Sequence, residues 1–228
     1  MKILSILLNA TETIVNSQEA EEIRLSLWEL AKEGGWIMIV LAIFSIIAVY
    51  IFSERIISIN QASKKDDNFM NLIRNYMIEG KLDDAKQLCK QTNTPISRMI
   101  EKGISRIGKP LNDIQTAIEN VGNLEVSKLE KGVALLGMIS GASPMLGFLG
   151  TVTGMIRAFY DMSMAGNNID IELLSAGIYE AMVTTVGGLF VGILAYIFYN
   201  IVVAKIDKVV NLLESKSIEF MDVLNEPA

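Results

Sequence analysis

Thr151, Thr184 and Thr185 place hydroxyl groups inside long stretches that contain no charged residue. A hydroxyl can donate one hydrogen bond and accept others, so it can orient water or meet an incoming polar group, but it carries no charge near neutral pH. Glu180 lies five residues before Thr185, and Arg157 lies six residues after Thr151; these are the nearest ionisable side chains. No Asp, Glu, His, Lys or Arg lies deep within the uncharged stretches, although proton movement through an apolar layer relies on titratable groups. If protons cross here, a carboxylate must come from another chain. Histidine is absent and Cys89 is the only cysteine, which excludes disulfides, zinc sites, Cys-His nucleophiles and imidazole acid-base chemistry. No nucleophile-base pair is visible for a membrane-embedded hydrolase, so an enzyme is not expected, nor any cofactor or metal.

The elements that position these residues are three apolar windows: Gly34 to Ser53, Gly132 to Ile156 and Ala181 to Ala204. Each is about the ~20 residues that cross a bilayer core. With 51% hydrophobic residues and a mean hydropathy of +0.38, the 228-residue chain lacks the polar surface to enclose three such segments in water. The expected fold is all-α: an integral membrane protein with three transmembrane helices, a cytoplasmic helical domain, and long helices continuing from the membrane into the cytoplasm. The expected division is an N-terminal periplasmic segment (1-33), a first span (34-53), a cytoplasmic domain (54-131), a second span (132-158), a periplasmic loop (159-177), a third span (178-204) and a C-terminal cytoplasmic helix (205-228).

Ile23, Leu27, Leu30 and Ala31 recur at helical spacing beside Trp28, which predicts an amphipathic helix before the first span. Lys2 precedes an apolar run, Ile3 to Leu8, that is shorter than the ~7 to 15 residues of a secretion-signal core and reads as retained. Between the first two spans, Phe69, Leu72, Ile73, Tyr76 and Met77 share a helical face that Gly80 closes, and Leu82, Ala85 and Cys89 mark the next helix. Cys89 is read as a small core residue. Thr94 and Pro95 open another helix, and Gly108-Lys109-Pro110 stops it. After Pro110, one unbroken helix is expected to run into the second span.

Thirteen Lys or Arg lie between Ser53 and Gly132, and Lys205 and Lys208 follow the third span, whereas Asp161 to Gly177 holds none. The positive-inside rule then puts the N-terminus outside and the C-terminus inside. The formal charge of -6 offers no basic patch for nucleic acid.

The first span is bulky and aliphatic. The other two carry small residues at spacings of three and four: Gly147, Thr151, Gly154 and Ala158 in one, and Ala181, Thr184 or Thr185, Gly188, Gly192 and Ala195 in the other. Such faces suit either close helix packing or the lining of a groove. Counting outward from the short loop between them puts Thr151 level with Thr185, and Arg157 level with Glu180 at the outer rim, where the two charges are expected to face each other. Pro144 removes the hydrogen bond to the Ser140 carbonyl, so the helix is expected to kink there or to satisfy that carbonyl through Ser or Thr neighbours.

The run Ala142-Ser-Pro-Met-Leu-Gly-Phe-Leu-Gly-Thr-Val-Thr-Gly154, with Gly177-Ile-Tyr-Glu-Ala-Met-Val-Thr-Thr-Val-Gly-Gly-Leu189 and Tyr199-Asn200, resembles the signatures of the ExbB, TolQ and MotA channel subunits of bacterial motors. The three-span layout is similar to ExbB and TolQ, whereas MotA-like members have four spans. The resemblance implies a proton-channel subunit of the bacterial inner membrane, assembled as a pentamer around the single membrane helices of an ExbD- or TolR-like protein whose aspartate takes up protons. It also implies a TonB-like or TolA-like energy transducer, with TonB-dependent outer-membrane transport, a TolQ-like envelope role, or a gliding or secretion motor as the system served. Thr151, Thr185 and Thr184 would line the pore, with Glu180 near its outer mouth. Leu194 stands where the family commonly has a proline. A non-conducting scaffold, whose small faces only pack, is the alternative of another class.

Overall fold

A computed structural model describes residues 34–63, 68–164 and 171–225; the amphipathic helix expected around Ile23 to Ala31 lies outside them. Every regular element among the described residues is helical. In chain order these are α1 (Gly35–Ala62), α2 (Phe69–Ile78), α3 (Leu82–Thr92), α4 (Pro95–Ile104), α5 (Leu111–Glu130), α6 (Val133–Met164) and α7 (Ile171–Asn225). At 1.5 Å per residue the 55-residue α7 is about 80 Å long, far more than the ~30 Å apolar core of a bilayer. It therefore runs from the membrane well into water.

Among the described residues, three helical segments are long and apolar enough to cross a membrane, and only 22% to 28% of their most apolar windows is buried within the chain. The remaining apolar surface, including Trp36, Ile46, Tyr50, Phe148, Ile156, Phe190 and Ile193, is exposed in the isolated chain and needs lipid or neighbouring subunits to cover it. The helix α1 is one-sided: Ile37, Leu41, Ala48 and Ile51 are buried, mainly toward α7, and the opposite face is bare. Phe52 stacks on Phe198 of α7 with ring centroids 4.2 Å apart.

Beyond the spans, α2, α4 and α5 fold against the long extension of α7, and α3 packs on α2 and α4. Phe220 of α7 is fully buried at the point where Gly103 of α4 and Ile118 of α5 meet it. A capping box opens α4: Ser97 N–H donates to Thr94 Oγ1 at 3.3 Å, Thr94 N–H donates to Ser97 Oγ at 2.8 Å, and Pro95 occupies the first turn. Gly80 and Gly108 end their segments as the spacing predicts. Cys89 is buried in α3, and burial pushes its thiol up to about 12, which removes the reactive thiolate.

One expectation fails. The polar helix and the second span are separate: α5 ends at Glu130, Lys131 is extended (φ -55°, ψ 122°), and Gly132 takes φ +81° before α6 begins. A left-handed glycine after a helix that ends in lysines is a C-terminal stop, and it falls where water gives way to lipid. Arg55 of α1, itself buried, secures the break. Its guanidinium donates to the Lys128 carbonyl at 2.8 Å and the Leu129 carbonyl at 3.5 Å, taking up acceptors that a helix end leaves unpaired.

The same corner holds a buried carboxylate. Glu125 pairs with Arg98 of α4 at 2.5 Å and with Lys128 at 2.7 Å. Burial works to raise its pKa, but the hydrogen bonds and charges of Arg98 and Lys128 outweigh it and leave the carboxyl below its ordinary range. A depressed folded-state pKa contributes stability that is present above the unfolded value of ~4.3 and lost as pH falls through the folded one. Glu125→Gln should therefore lower the thermal midpoint at neutral pH and flatten the acid limb of a midpoint-against-pH curve. Unchanged curvature would show the pair to be idle.

Candidate functional site

The helices α6 and α7 form an antiparallel hairpin whose seam is built from small residues. Gly147, Gly150, Gly154 and Ala158 of α6 meet Ala181, Thr184, Gly188 and Gly192 of α7, all buried. A Cβ on Gly147 would lie 2.9 Å from the Thr184 carbonyl oxygen and 3.2 Å from Gly188 Cα; one on Gly188 would lie 2.6 Å from the Ser143 carbonyl oxygen. Backbone therefore touches backbone, which only glycine permits. Helix α6 continues through Pro144, whose ring packs on Gly192: a Cβ there would be 2.7 Å from the ring.

Thr151 and Thr185 sit at the edge of this seam, half-buried, with their hydroxyls in direct hydrogen-bond contact. Both also reach the Gly147 carbonyl, Thr151 at 3.2 Å and Thr185 at 3.3 Å, and Thr185 has the Ala181 carbonyl at 3.3 Å. Two hydroxyl protons share three acceptors, each other included, so the pair keeps unused lone pairs on its open side. It can accept from a protonated carboxyl, or swing a proton outward to a carboxylate. The edge is otherwise apolar, flanked by exposed Phe148, Val152, Met155, Met182, Val186 and Leu189.

Thr184, grouped by sequence with the lining residues, lies elsewhere. It is fully buried against Gly150, and its hydroxyl donates to the Ala181 carbonyl at 2.8 Å. It belongs to the packing of the seam. Arg157 and Glu180 are not brought together: among the described residues they form no ion pair, and Arg157 is exposed on α6. Glu180 turns instead toward α1, so close that a Cβ on Gly35 would be 2.6 Å from its Oε1. Leu194, at the position of the family proline, is half-buried in an uninterrupted helix. Sequence reasoning missed Arg55 and Glu125. The signals were an arginine just past the first span and a carboxylate three residues before a lysine at a helix end.

The family model described as the MotA/TolQ/ExbB proton channel family matches residues 91–215, more than half the chain and the whole hairpin. The chain belongs to the MotA/TolQ/ExbB proton channel family. An ExbB homologue of Methanothermobacter thermautotrophicus, described as a biopolymer transport protein, is 27% identical over 82% of this chain. An ExbB-like protein of Synechocystis is 27% identical over 74% of it, and the Tol-Pal system protein TolQ of Haemophilus influenzae is 32% identical over 58%. The matches span 66%, 80% and 52% of those relatives' own lengths. Within this MotA/TolQ/ExbB chain, the threonine pair lies in the matched region, as do Glu125 and the break at Gly132, whereas Arg55 and α1 precede it.

Proposed function

We propose that the chain is a proton-channel subunit of an inner-membrane motor, oriented with its N-terminus outside, and that it couples the proton motive force to a periplasmic partner. The observation that supports this reading most is the Thr151–Thr185 hydroxyl pair on the open edge of a span hairpin that holds no acid at their depth. A ring of such hairpins, a pentamer by family resemblance, would present a belt of hydroxyls to a central helix. An ExbD- or TolR-like single-span protein would bring the aspartate, and a TonB- or TolA-like transducer would carry the work outward. In that setting a hydroxyl pair lowers the cost of holding a carboxylate in the membrane by hydrogen-bonding it, and releases it when a proton neutralises the charge.

ExbB-like energising of TonB-dependent outer-membrane transport is the preferred role, because the ExbB homologue of Methanothermobacter and the ExbB-like protein of Synechocystis match over 82% and 74% of the chain. The TolQ relative supports an envelope role as the second reading. Complementation separates them. Expressed with an ExbD- or TolR-like single-span protein, in a host lacking its own ExbB and TolQ systems, the chain should restore growth on siderophore iron. Restored detergent resistance without iron uptake would favour the TolQ-like role. Failure of both, with the complex assembled, would favour a non-conducting scaffold.

A further inference from the structure

Away from the spans, α5 and α7 leave a trough of about 560 Å³ between them. Its walls repeat with one spacing. Gln115, Glu119, Gly122 and Val126 line it from α5, and Val210, Glu214, Ser217 and Met221 line it from α7; each set advances by four, three and four residues. That is the spacing of a coiled-coil seam, and each wall runs about 16 Å, or three helical turns. The floor is apolar: Met99 and Leu213 are buried, and Met99 lies against Gly122. At the mouth stand Ile218, 63% exposed, and two exposed carboxylates. Glu119 accepts a hydrogen bond only from Gln115, at 2.8 Å, and Glu214 has no ion pair or hydrogen bond among the described residues. No lysine or arginine lines the trough.

We propose that this trough is a docking site for a basic amphipathic helix of another polypeptide, about three turns long, with its apolar stripe on the floor and Lys or Arg beside Glu119 and Glu214. Two antiparallel helices with matched heptad-type stripes offer the groove into which a third packs. The two carboxylates select a basic partner. Lipid is excluded by position, because the α7 wall begins five residues beyond Lys205 and ends sixteen beyond it, roughly 8 to 24 Å further along the helix. Among the described residues on the trough's side of the spans, a second copy offers no exposed basic apolar stripe. Among the described residues on this side of the spans, the large exposed apolar residues are Ile57, Leu72, Ile78, Leu111, Leu124 and Ile218, at most one or two on any helix, and the last two adjoin the trough itself. Helices α2, α3 and α4 have already buried their apolar faces within the chain.

The probe is a fluorescein-labelled synthetic helix of leucine and lysine at heptad spacing, titrated into the full chain in zwitterionic nanodiscs, with empty nanodiscs and a leucine-glutamate peptide as references. Binding should weaken at least tenfold in Glu119→Gln/Glu214→Gln and fall with added salt. A cysteine-bearing version should crosslink to Ser217→Cys and not to Asp83→Cys, which sits on exposed α3. Should the double variant lose its fold, the salt titration and crosslink map of the otherwise native chain decide the matter. The proposal is overturned by equal binding of both peptides, by indifference to the glutamine pair and to salt, or by Ser217→Cys crosslinking to a neighbouring copy before peptide is added. None of these outcomes depends on proton coupling.

Discussion

Thr151→Val combined with Thr185→Val should abolish proton-driven work while leaving the complex assembled. Valine keeps the shape of threonine and removes only the hydroxyl. Because the two hydroxyls bond each other and carbonyls already bonded within their helices, deleting both leaves no buried donor stranded, which makes the double change nearly neutral for stability. What disappears is the pair's ability to hydrogen-bond a carboxylate. Two charge-assisted hydrogen bonds of about 1.5 to 3 kcal/mol each correspond to a loss of about 10² to 10⁴ in transfer rate. Uptake assays on the double variant, beside native mass spectrometry of the purified complex, should show the split: full-sized complex and no transport. Loss of assembly together with transport would assign the threonines to packing alone.

Gly188→Ala should be nearly as damaging for a different reason. The new methyl would meet the Ser143 carbonyl oxygen at 2.6 Å and Gly147 Cα at 2.8 Å, and both are backbone atoms that cannot rotate aside. The hairpin must open or bend, at a cost of about 1 to 3 kcal/mol or more, although alanine is the better helix former. Gly141 supplies the control: it lies on α6, the other helix of the hairpin, and a Cβ there would meet nothing within 4 Å. Gly141→Ala should leave the yield and thermal midpoint of the folded complex unchanged or slightly raised, while Gly188→Ala lowers both. Equal tolerance of the two would contradict the close backbone contact.

Depth was legible from the sequence, and direction was not. Helix rise is constant, so counting outward from a short loop matched Thr151 with Thr185, and their hydroxyls meet. The same counting matched Arg157 with Glu180 and failed, because height says nothing about azimuth: six residues at about 100° each carry Arg157 well round the helix from Thr151. Adjacent threonines differ by one such step, which is why Thr185 reaches the edge while Thr184 faces Gly150. The layout of three spans followed from uncharged stretches whose length only a bilayer explains, and the family signatures covered the hairpin. The break at Gly132 was hidden because an apolar pattern continues on both sides of it; only the glycine behind two lysines marked the stop. The contacts of Arg55 with the end of α5 and of Arg98 with Glu125 join residues that are 27 to 74 positions apart, so the charges are visible in the sequence but their distant partners are not.

The central claim is that the hairpin offers hydroxyls and borrows its acid. Proton flux into liposomes under a fixed membrane potential tests this most directly, with the chain alone, with the proposed ExbD- or TolR-like single-span protein, and with that protein's proposed membrane aspartate changed to asparagine. No flux is expected from the chain alone, flux from the pair, and none when either the aspartate or both threonine hydroxyls are removed. Flux through the chain alone, or flux through the pair that survives both valines, would contradict it.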